Sequence, residues 1–313
     1  MADVESYPTL LAAATDYAGK VALLQFIRRR RLRYPEVVVL HGGALLSGSA
    51  SKLGNEAWAL REQVFQAALD VHDLALAETC LVALREKFPD SMRVLRLVGL
   101  EKEATGDYEG ALEIYDMLVE DNAANGLAHK RKICVLKAKG DKRGAMEAMN
   151  AYLDTFGADT VAWQECADMH LKEGNLRQAM YCYEELLLAE PVNHMFHVKY
   201  AEMAYSVAAA DGVEAYRTAR SHYAQALQLN GTDFRAIVGL MLATQAVATA
   251  GGDKGGKGGQ GGESKEDDAE LNMKLCTLAA ARVDEALGKA GAAMAGFVGN
   301  LKNDALSACE GAM

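Results

Sequence analysis

The stretch GNLRQAMYCYEELLLAEP, residues 174–191, carries a glycine, an alanine five residues later and a proline at its end. The same skeleton stands upstream in GDYEGALEIYDMLVEDN, residues 106–122, and a third copy begins at GDKRGAMEAMN, residues 140–150. The glycines fall at positions 106, 140 and 174 and the alanines at 111, 145 and 179, so the period is 34 residues. A fixed period of this length indicates an array of stacked helical repeats.

Each repeat is predicted to be a pair of helices joined by a turn that carries the glycine. In one copy, RVLRLVGLEKEAT (93–105) forms the first helix. Ala111, Tyr115 and Leu118 follow the turn at i, i+4 and i+7, the spacing of one buried face of a second helix. The small residues Gly99 and Ala111 are expected to let the two helices approach closely.

The turns and the repeat ends carry their own signals. Gly106 is expected to cap a helix in the left-handed conformation, which is inexpensive only for glycine. Pro191 cannot continue a helix and therefore ends its repeat. These features match the tetratricopeptide pattern. A fifth unit has six extra residues around AAADGVEAY (208–216), and a sixth first helix begins at Phe234. The sequence predicts an all-α tetratricopeptide-repeat fold that forms a right-handed superhelical solenoid.

The repeat array does not account for the whole chain. The predicted segments are an N-terminal helical segment at 1–50, the repeat array at 51–250, a Gly-rich disordered linker at 251–268 and a C-terminal helix at 269–313, whose end is prone to fray. The linker resembles a phosphate-binding loop at Gly251, Gly256 and Lys257. However, Gly258 stands where Ser or Thr must bind magnesium, so the linker interpretation is preferred.

Composition and charge exclude several function classes. The formal net charge of −10 argues against general nucleic-acid binding. The six cysteines are scattered and form no CxxC pair, which is typical of reduced thiols packed in helices of an intracellular protein. The acidic N-terminus argues against a secretory signal, and the longest uncharged run, 236–252, is too short to span a membrane. We expect a soluble cytosolic protein.

Local motifs for catalysis, cofactors and metals are missing from the sequence. His194 and His197 have the i, i+3 spacing of a metal pair, but no carboxylate or cysteine is placed with them, so an ordinary helix surface is the preferred interpretation. No Ser-His-Asp or Cys-His arrangement can be assembled from local motifs. We therefore expect no catalytic, cofactor-binding or metal residue, no cofactor and no enzymatic activity.

Positive charge is concentrated at particular positions of this acidic chain. Arg93 and Arg96 lie on one first helix, and Lys130 and Lys137 lie on the next, at places that face the concavity in tetratricopeptide arrays. They form either a solvated face or a partner-binding groove for an acidic segment. The run RRRRLR, residues 28–33, is either a solvated helix or a contact for acidic lipid headgroups or an acidic partner.

The sequence also resembles a specific family, subunit 2 of the endoplasmic reticulum membrane protein complex. The resemblance extends from about Ser51 to Leu242. It rests on the blocks SKLGNEAW, EQVFQAALD, LREKFPDSMRVLRL, AHKRKICVLKAKG, YCYEELLLAEPVNH, KYAEMAY and YAQALQLN. It implies a scaffold on the cytosolic face of the endoplasmic reticulum membrane. Such a scaffold holds the membrane-embedded subunits and an inactive metalloprotease-like subunit of a complex that inserts tail-anchored and multi-pass proteins. It also implies that this subunit does no chemistry and reaches the membrane mainly through its partners.

Two other functions remain as alternatives. A tetratricopeptide co-chaperone, or another peptide-binding adaptor, grips the acidic C-terminus of a heat-shock protein with a set of Lys, Asn and Arg side chains. Here Leu100, Arg131 and Glu165 stand where two Asn and one Arg of that set are needed, so the clamp is incomplete. An enzyme with an attached repeat domain is the third possibility, and it lacks residues outside the array to form a catalytic domain.

Overall fold

A computed structural model describes residues 6–252, 262–287 and 292–311, and every regular element within these ranges is an α-helix. The chain forms two compact units, Met1–Thr155 and Phe156–Met313. The first unit contains α1 (Ser6–Ala13), α2 (Tyr17–Arg29), α3 (Pro35–Leu53), α4 (Glu56–Asp70), α5 (Leu74–Lys87), α6 (Met92–Thr105), α7 (Tyr108–Asp121), α8 (Gly126–Lys139) and α9 (Lys142–Thr155). The second contains α10 (Thr160–Lys172), α11 (Leu176–Ala189), α12 (His194–Asp211), α13 (Val213–Leu229), α14 (Phe234–Gly252), α15 (Gly262–Leu287) and α16 (Ala292–Gly311). The predicted all-α repeat fold is confirmed.

The repeat pairs pack as their sequence pattern predicts. The positions at i, i+4 and i+7 of α7, Ala111, Tyr115 and Leu118, are all buried. A side-chain carbon added at Gly99 of α6 would lie 2.9 Å from the Tyr115 ring, closer than carbon atoms pack. Glycine is therefore what allows α6 and α7 their close contact.

The turns between paired helices are left-handed, as expected from their glycines. Gly106, Gly140 and Gly174 have φ values of 82°, 84° and 75°. The next residue begins the second helix as its N-cap, as Asp107 does by accepting a hydrogen bond from the Gly110 amide. One period before Gly106, the chain has His72 with a φ of 60°. The left-handed turn is therefore kept in a unit that has histidine in place of glycine.

The insertion in the fifth unit lengthens its helices. α12 and α13 have 18 and 17 residues, against 14 in both α6 and α7, and Gly212 makes the turn between them with a φ of 86°. α14 follows as the sixth first helix. A side-chain carbon at its Gly239 would lie 2.3 Å from the Tyr223 ring of α13. A close approach of two helices is therefore present there too, between consecutive units.

The C-terminal segments differ from their predicted boundaries. The predicted linker, 251–268, is shorter, because α14 runs to Gly252 and α15 begins at Gly262. Residues 253–261 lie outside the described residues. Asp268, predicted to be in the linker, pairs with Arg217 and Arg220 of α13 at 2.9 and 2.5 Å.

Two helices, α15 and α16, replace the one predicted at 269–313. Ala305 and Cys309 of α16 are buried against the core of the second unit, so the described part of this end is packed and not frayed.

The N-terminal segment is helical, as predicted, and consists of α1, α2 and α3. Its last helix passes the predicted boundary at residue 50 and ends at Leu53. Leu23, Leu24 and Ile27 of α2 are buried in the same core as the first repeat. In the described part of the chain, no helix has both the length and the apolar character that a membrane crossing requires.

Candidate functional site: a basic cleft in the first unit

An open cleft of ≈ 770 Å³ lies among α2, α3, α4, α6 and α8 of the first unit. Its charged lining consists of six arginines and three carboxylates: Arg28, Arg31, Arg33, Arg93, Arg96, Arg131, Glu62, Asp70 and Glu103. These residues, which we call the basic cleft, have a formal net charge of +3 in a chain whose total is −10. Local charge opposite to that of the whole protein marks a surface suited to an acidic ligand.

Glu62 of α4 holds two arginines of α6 at the cleft wall. Its carboxylate oxygens lie 2.6 Å from Nη2 of Arg93 and 3.3 Å from Nη2 of Arg96. The Glu62 side chain is 14% exposed, whereas that of Arg93 is 71% exposed. Arg93 therefore keeps most of its side chain exposed to solvent while Glu62 anchors its guanidinium.

Glu103 of α6 joins the next repeat to the cleft. It accepts a hydrogen bond from Nε of Arg131 at 2.9 Å, and Nη2 of Arg131 pairs with its second oxygen. The hydroxyl of Tyr115 also donates to Glu103. Burial and the adjacent carboxylate raise the pKa of Tyr115, so the phenol stays protonated and remains a donor. The bidentate pair fixes the direction of the Arg131 guanidinium.

Three arginines of the N-terminal run, Arg28, Arg31 and Arg33, belong to the same surface. Arg28 pairs with Glu56, and Arg33 makes two hydrogen bonds to Asp70, at 2.8 and 3.2 Å. Arg31 follows α2 with a φ of 53°, a left-handed conformation in which any residue but glycine is strained. The structure thus places Arg28, Arg31 and Arg33 in a protein cleft, where the sequence offered a solvated helix or a contact for acidic lipid headgroups or an acidic partner.

Only part of the predicted groove lies in this cleft. Arg93 and Arg96 line it, whereas Lys130 and Lys137 are not among its lining residues. Nζ of Lys130 lies 5.4 Å from the centroid of the Tyr152 ring, a cation–π contact that draws it toward α9. Arg131, one residue on, takes the position in the cleft. The repeat register contained that signal, since position 131 lies two periods after Gln63, which also lines the cleft.

The paired histidines of α12 do not converge on one site. Nδ1 of His194 lies 3.1 Å from Asp233. His197 is buried, so the helix-surface interpretation was wrong for it. Its Nε2 lies 3.0 Å from the carbonyl of Pro191 and its Nδ1 lies 3.0 Å from Nδ1 of His222. A carbonyl only accepts, so Nε2 of a neutral His197 carries the proton and Nδ1 of His222 donates to His197.

The cysteines are reduced thiols throughout the described chain, and all but Cys134 are buried. The expectation that all six are packed was therefore wrong for that residue. Cys166, His170 and Cys182 form a group in the second unit whose ligand atoms lie within 4.8 Å of one another. Burial lowers the pKa of His170, and a hydrogen bond with Cys182 lowers that of Cys166. The sequence reasoning missed this group, because only C-x-x-x-H in α10 hinted at it.

Comparison with known proteins gives the family. Residues 73–213 match the model of the EMC2 TPR-like repeat domain. The chain is 36% identical to ER membrane protein complex subunit 2-A of Xenopus laevis, covering 88% of each chain. It is 39% identical to ER membrane protein complex subunit 2 of Xenopus tropicalis, covering 71% of this chain and 74% of that one. For the Dictyostelium discoideum protein of that name the identity is 31%, covering 66% and 64%. The chain belongs to the family of ER membrane protein complex subunit 2.

Proposed function

We propose that this protein is a non-catalytic scaffold subunit of the endoplasmic reticulum membrane protein complex. It lies on the cytosolic face of that membrane and supports insertion of tail-anchored and multi-pass proteins. Its partners are the membrane-embedded and cytosolic subunits of the complex, including an inactive metalloprotease-like subunit. Family membership supports the assembly, and a repeat array supports the scaffold role, because stacked helices offer long surfaces for binding. Membrane contact is made mainly through those partners.

The observation that carries this proposal is the basic cleft. Guanidinium groups bind carboxylates in a two-pronged geometry, as Arg131 and Arg33 already do with Glu103 and Asp70. Four carboxylates of the protein pair with arginines of the cleft, three from its lining and Glu56 beside it, so two of the six positive charges remain unneutralised and favour an acidic segment from outside. We propose that an acidic stretch of a partner subunit occupies the cleft. Lys130 and Lys137 are proposed to extend this basic surface along α8.

A peptide-binding adaptor that recognises a heat-shock protein is the second candidate. The basic cleft supports this second function only because it would also attract an acidic C-terminal peptide. Two of the three residues that break the co-chaperone clamp, Leu100 and Arg131, line this cleft, and Arg131 is held by Glu103. An arginine paired with a glutamate therefore stands where the co-chaperone clamp has an asparagine that binds a terminal carboxylate.

The experiment is affinity purification of the tagged full chain from detergent-solubilised membranes at physiological salt. The proposal expects the membrane-embedded subunits of the complex to be recovered in stoichiometric amounts. Recovery of a heat-shock protein in their place would favour the adaptor. Recovery of neither, from cells in which the complex is intact, would contradict both functions.

A further inference from the structure

The facing surfaces of α10 and α11 bring two thiols and an imidazole together. Cys166 and His170 are four residues apart on α10 and so share one face of that helix, and Cys182 meets them from α11. One ligand atom from each lies within 4.8 Å of the other two, and all three residues are buried. Two sulfurs and an imidazole nitrogen form a donor set that suits Zn²⁺.

His170 provides a second and independent observation. The residue is 8% exposed, and its Nδ1 atom is buried with no hydrogen-bond partner among the described residues. Folded proteins pair nearly all buried polar atoms, because an unpaired one has lost its water without compensation. Burial also favours the neutral imidazole, which is the form that binds a metal.

We propose that Cys166, His170 and Cys182 form a Zn²⁺ site that links the two helices of one repeat. Typical Zn–S and Zn–N bonds of about 2.3 and 2.0 Å place the ligands of a tetrahedral ion less than about 4 Å apart. The three ligand atoms now lie up to 4.8 Å from one another, and modest side-chain rotations bring them to this shorter distance. A water molecule completes the tetrahedron, as in other zinc sites with three protein ligands.

Charge favours Zn²⁺ over a monovalent soft ion such as Cu⁺. Binding converts both thiols to thiolates and releases two protons to solvent, while the imidazole binds as the neutral form. Two thiolates neutralise Zn²⁺, whereas with Cu⁺ they leave a net charge of −1. A buried site favours the neutral assembly, since burying an uncompensated charge is costly.

A buried thiol pair elsewhere in the same unit provides the matched control. Cys276 and Cys309 are hydrogen-bonded to each other in the core of the second unit. In the described residues, no third Cys, His, Asp or Glu joins them at ligand distance. Substitution of Cys276 therefore removes a buried thiol without touching the proposed site.

The test uses the full chain, purified under reducing conditions, stripped with a chelator and titrated with Zn²⁺ against a chromophoric competitor. We expect one Zn²⁺ per chain, an increase in the thermal midpoint on binding, and retained binding by Cys276→Ser. Cys182→Ser and His170→Gln should lose the binding. Co²⁺ in the wild type should show thiolate-to-metal charge transfer and the visible bands of a tetrahedral ion.

Several results would overturn the site. These are no stoichiometric Zn²⁺ binding by the folded wild type, binding that survives in both ligand variants, or binding of Cu⁺ but not Zn²⁺. If the ligand variants fail to fold, alkylation of the wild type decides, at a urea concentration at which Cys166 and Cys182 are labelled in the metal-free chain. Zn²⁺ should then protect Cys166 and Cys182, and leave Cys134 reactive, in a peptide map by mass spectrometry. Equal labelling of Cys166 and Cys182 with and without Zn²⁺ would contradict the proposal.

Discussion

Two residues in left-handed turns allow stability and binding to be separated. Arg31 and His72 have φ values of 53° and 60°, and both are exposed. A left-handed conformation costs a residue with a side chain about 1–2 kcal/mol. Glycine removes that strain but loses about 0.4–1 kcal/mol through the greater freedom of the unfolded chain. We therefore expect Arg31→Gly and His72→Gly each to raise the free energy of unfolding by about 0.5–1 kcal/mol.

The two variants should differ in binding, because only Arg31 lines the basic cleft. An exposed charge pair contributes about 0.2–1 kcal/mol, so Arg31→Gly should weaken the attachment of an acidic partner by up to about fivefold. When the salt concentration of the purification is raised stepwise, Arg31→Gly should lose the partner subunits from solubilised membranes at a lower salt concentration than the wild type does. His72→Gly should match the wild type.

Urea unfolding, followed by helical circular dichroism, measures the free energy of unfolding of each variant. Gly106→Ala is the control with the opposite sign. An added carbon there meets no atom within 4 Å, so a loss of about 1 kcal/mol would come from the backbone alone. A lower unfolding free energy in His72→Gly, or equal impairment of partner recovery in Arg31→Gly and His72→Gly, would refute this prediction.

Three further predictions concern packing, pH and the membrane. Gly239→Ala should be more destabilising than Gly99→Ala in thermal unfolding. The added carbon would lie 2.3 Å from the Tyr223 ring, against 2.9 Å for Gly99, and overpacking of about 1–3 kcal/mol exceeds the ~1 kcal/mol of helix propensity gained. Burial and a neighbouring histidine lower the pKa of His222 below the ordinary 6.5, so the unfolded state binds more protons as the pH falls through that value. The urea midpoint of unfolding should fall as the pH is lowered from about 7.5 to 5.5, and it should fall less in His222→Gln than in the wild type. An identical fall in the two proteins would contradict this prediction. The purified chain should not float with anionic liposomes at physiological salt; flotation that is lost when residues 28–31 become Ser would make the run a lipid contact.

The sequence was sufficient for features that repeat along the chain. The 34-residue period located the paired helices, the buried Ala111 and Tyr115 face and the turn at Gly106, because each depends on a local spacing. His72 escaped notice, since only the register and the following Asp73 N-cap mark that turn.

The cleft was beyond such reasoning because it combines helices that are distant in sequence, and the thiol group was beyond it because the spacing does not show which side chains of α10 and α11 face each other. Periodicity placed Arg93 and Arg96 on one helix face, but it could not show that arginines of the N-terminal run line the same cleft. Nor could it show that the ring of Tyr152 draws Lys130 away while Glu103 holds Arg131 in place. Contacts between side chains decide such details, and they appear only in the folded chain.

The most direct test of the account reverses the charge of the basic cleft and measures assembly. Arg93→Glu/Arg96→Glu should change attraction to repulsion at two positions, a loss of about 1–3 kcal/mol, or roughly fivefold to a hundredfold in affinity. Arg143→Glu is the control, since Arg143 is 90% exposed, pairs with Glu147 and lies outside the cleft. Glu62→Gln should act in the opposite direction, because it removes a carboxylate that neutralises Arg93 and Arg96. With helical circular dichroism unchanged in every variant, recovery of the complex's other subunits at physiological salt should fall in the double variant. It should persist in Arg143→Glu and withstand higher salt in Glu62→Gln. Wild-type recovery by a folded Arg93→Glu/Arg96→Glu chain would contradict the claim that this cleft binds an acidic partner segment.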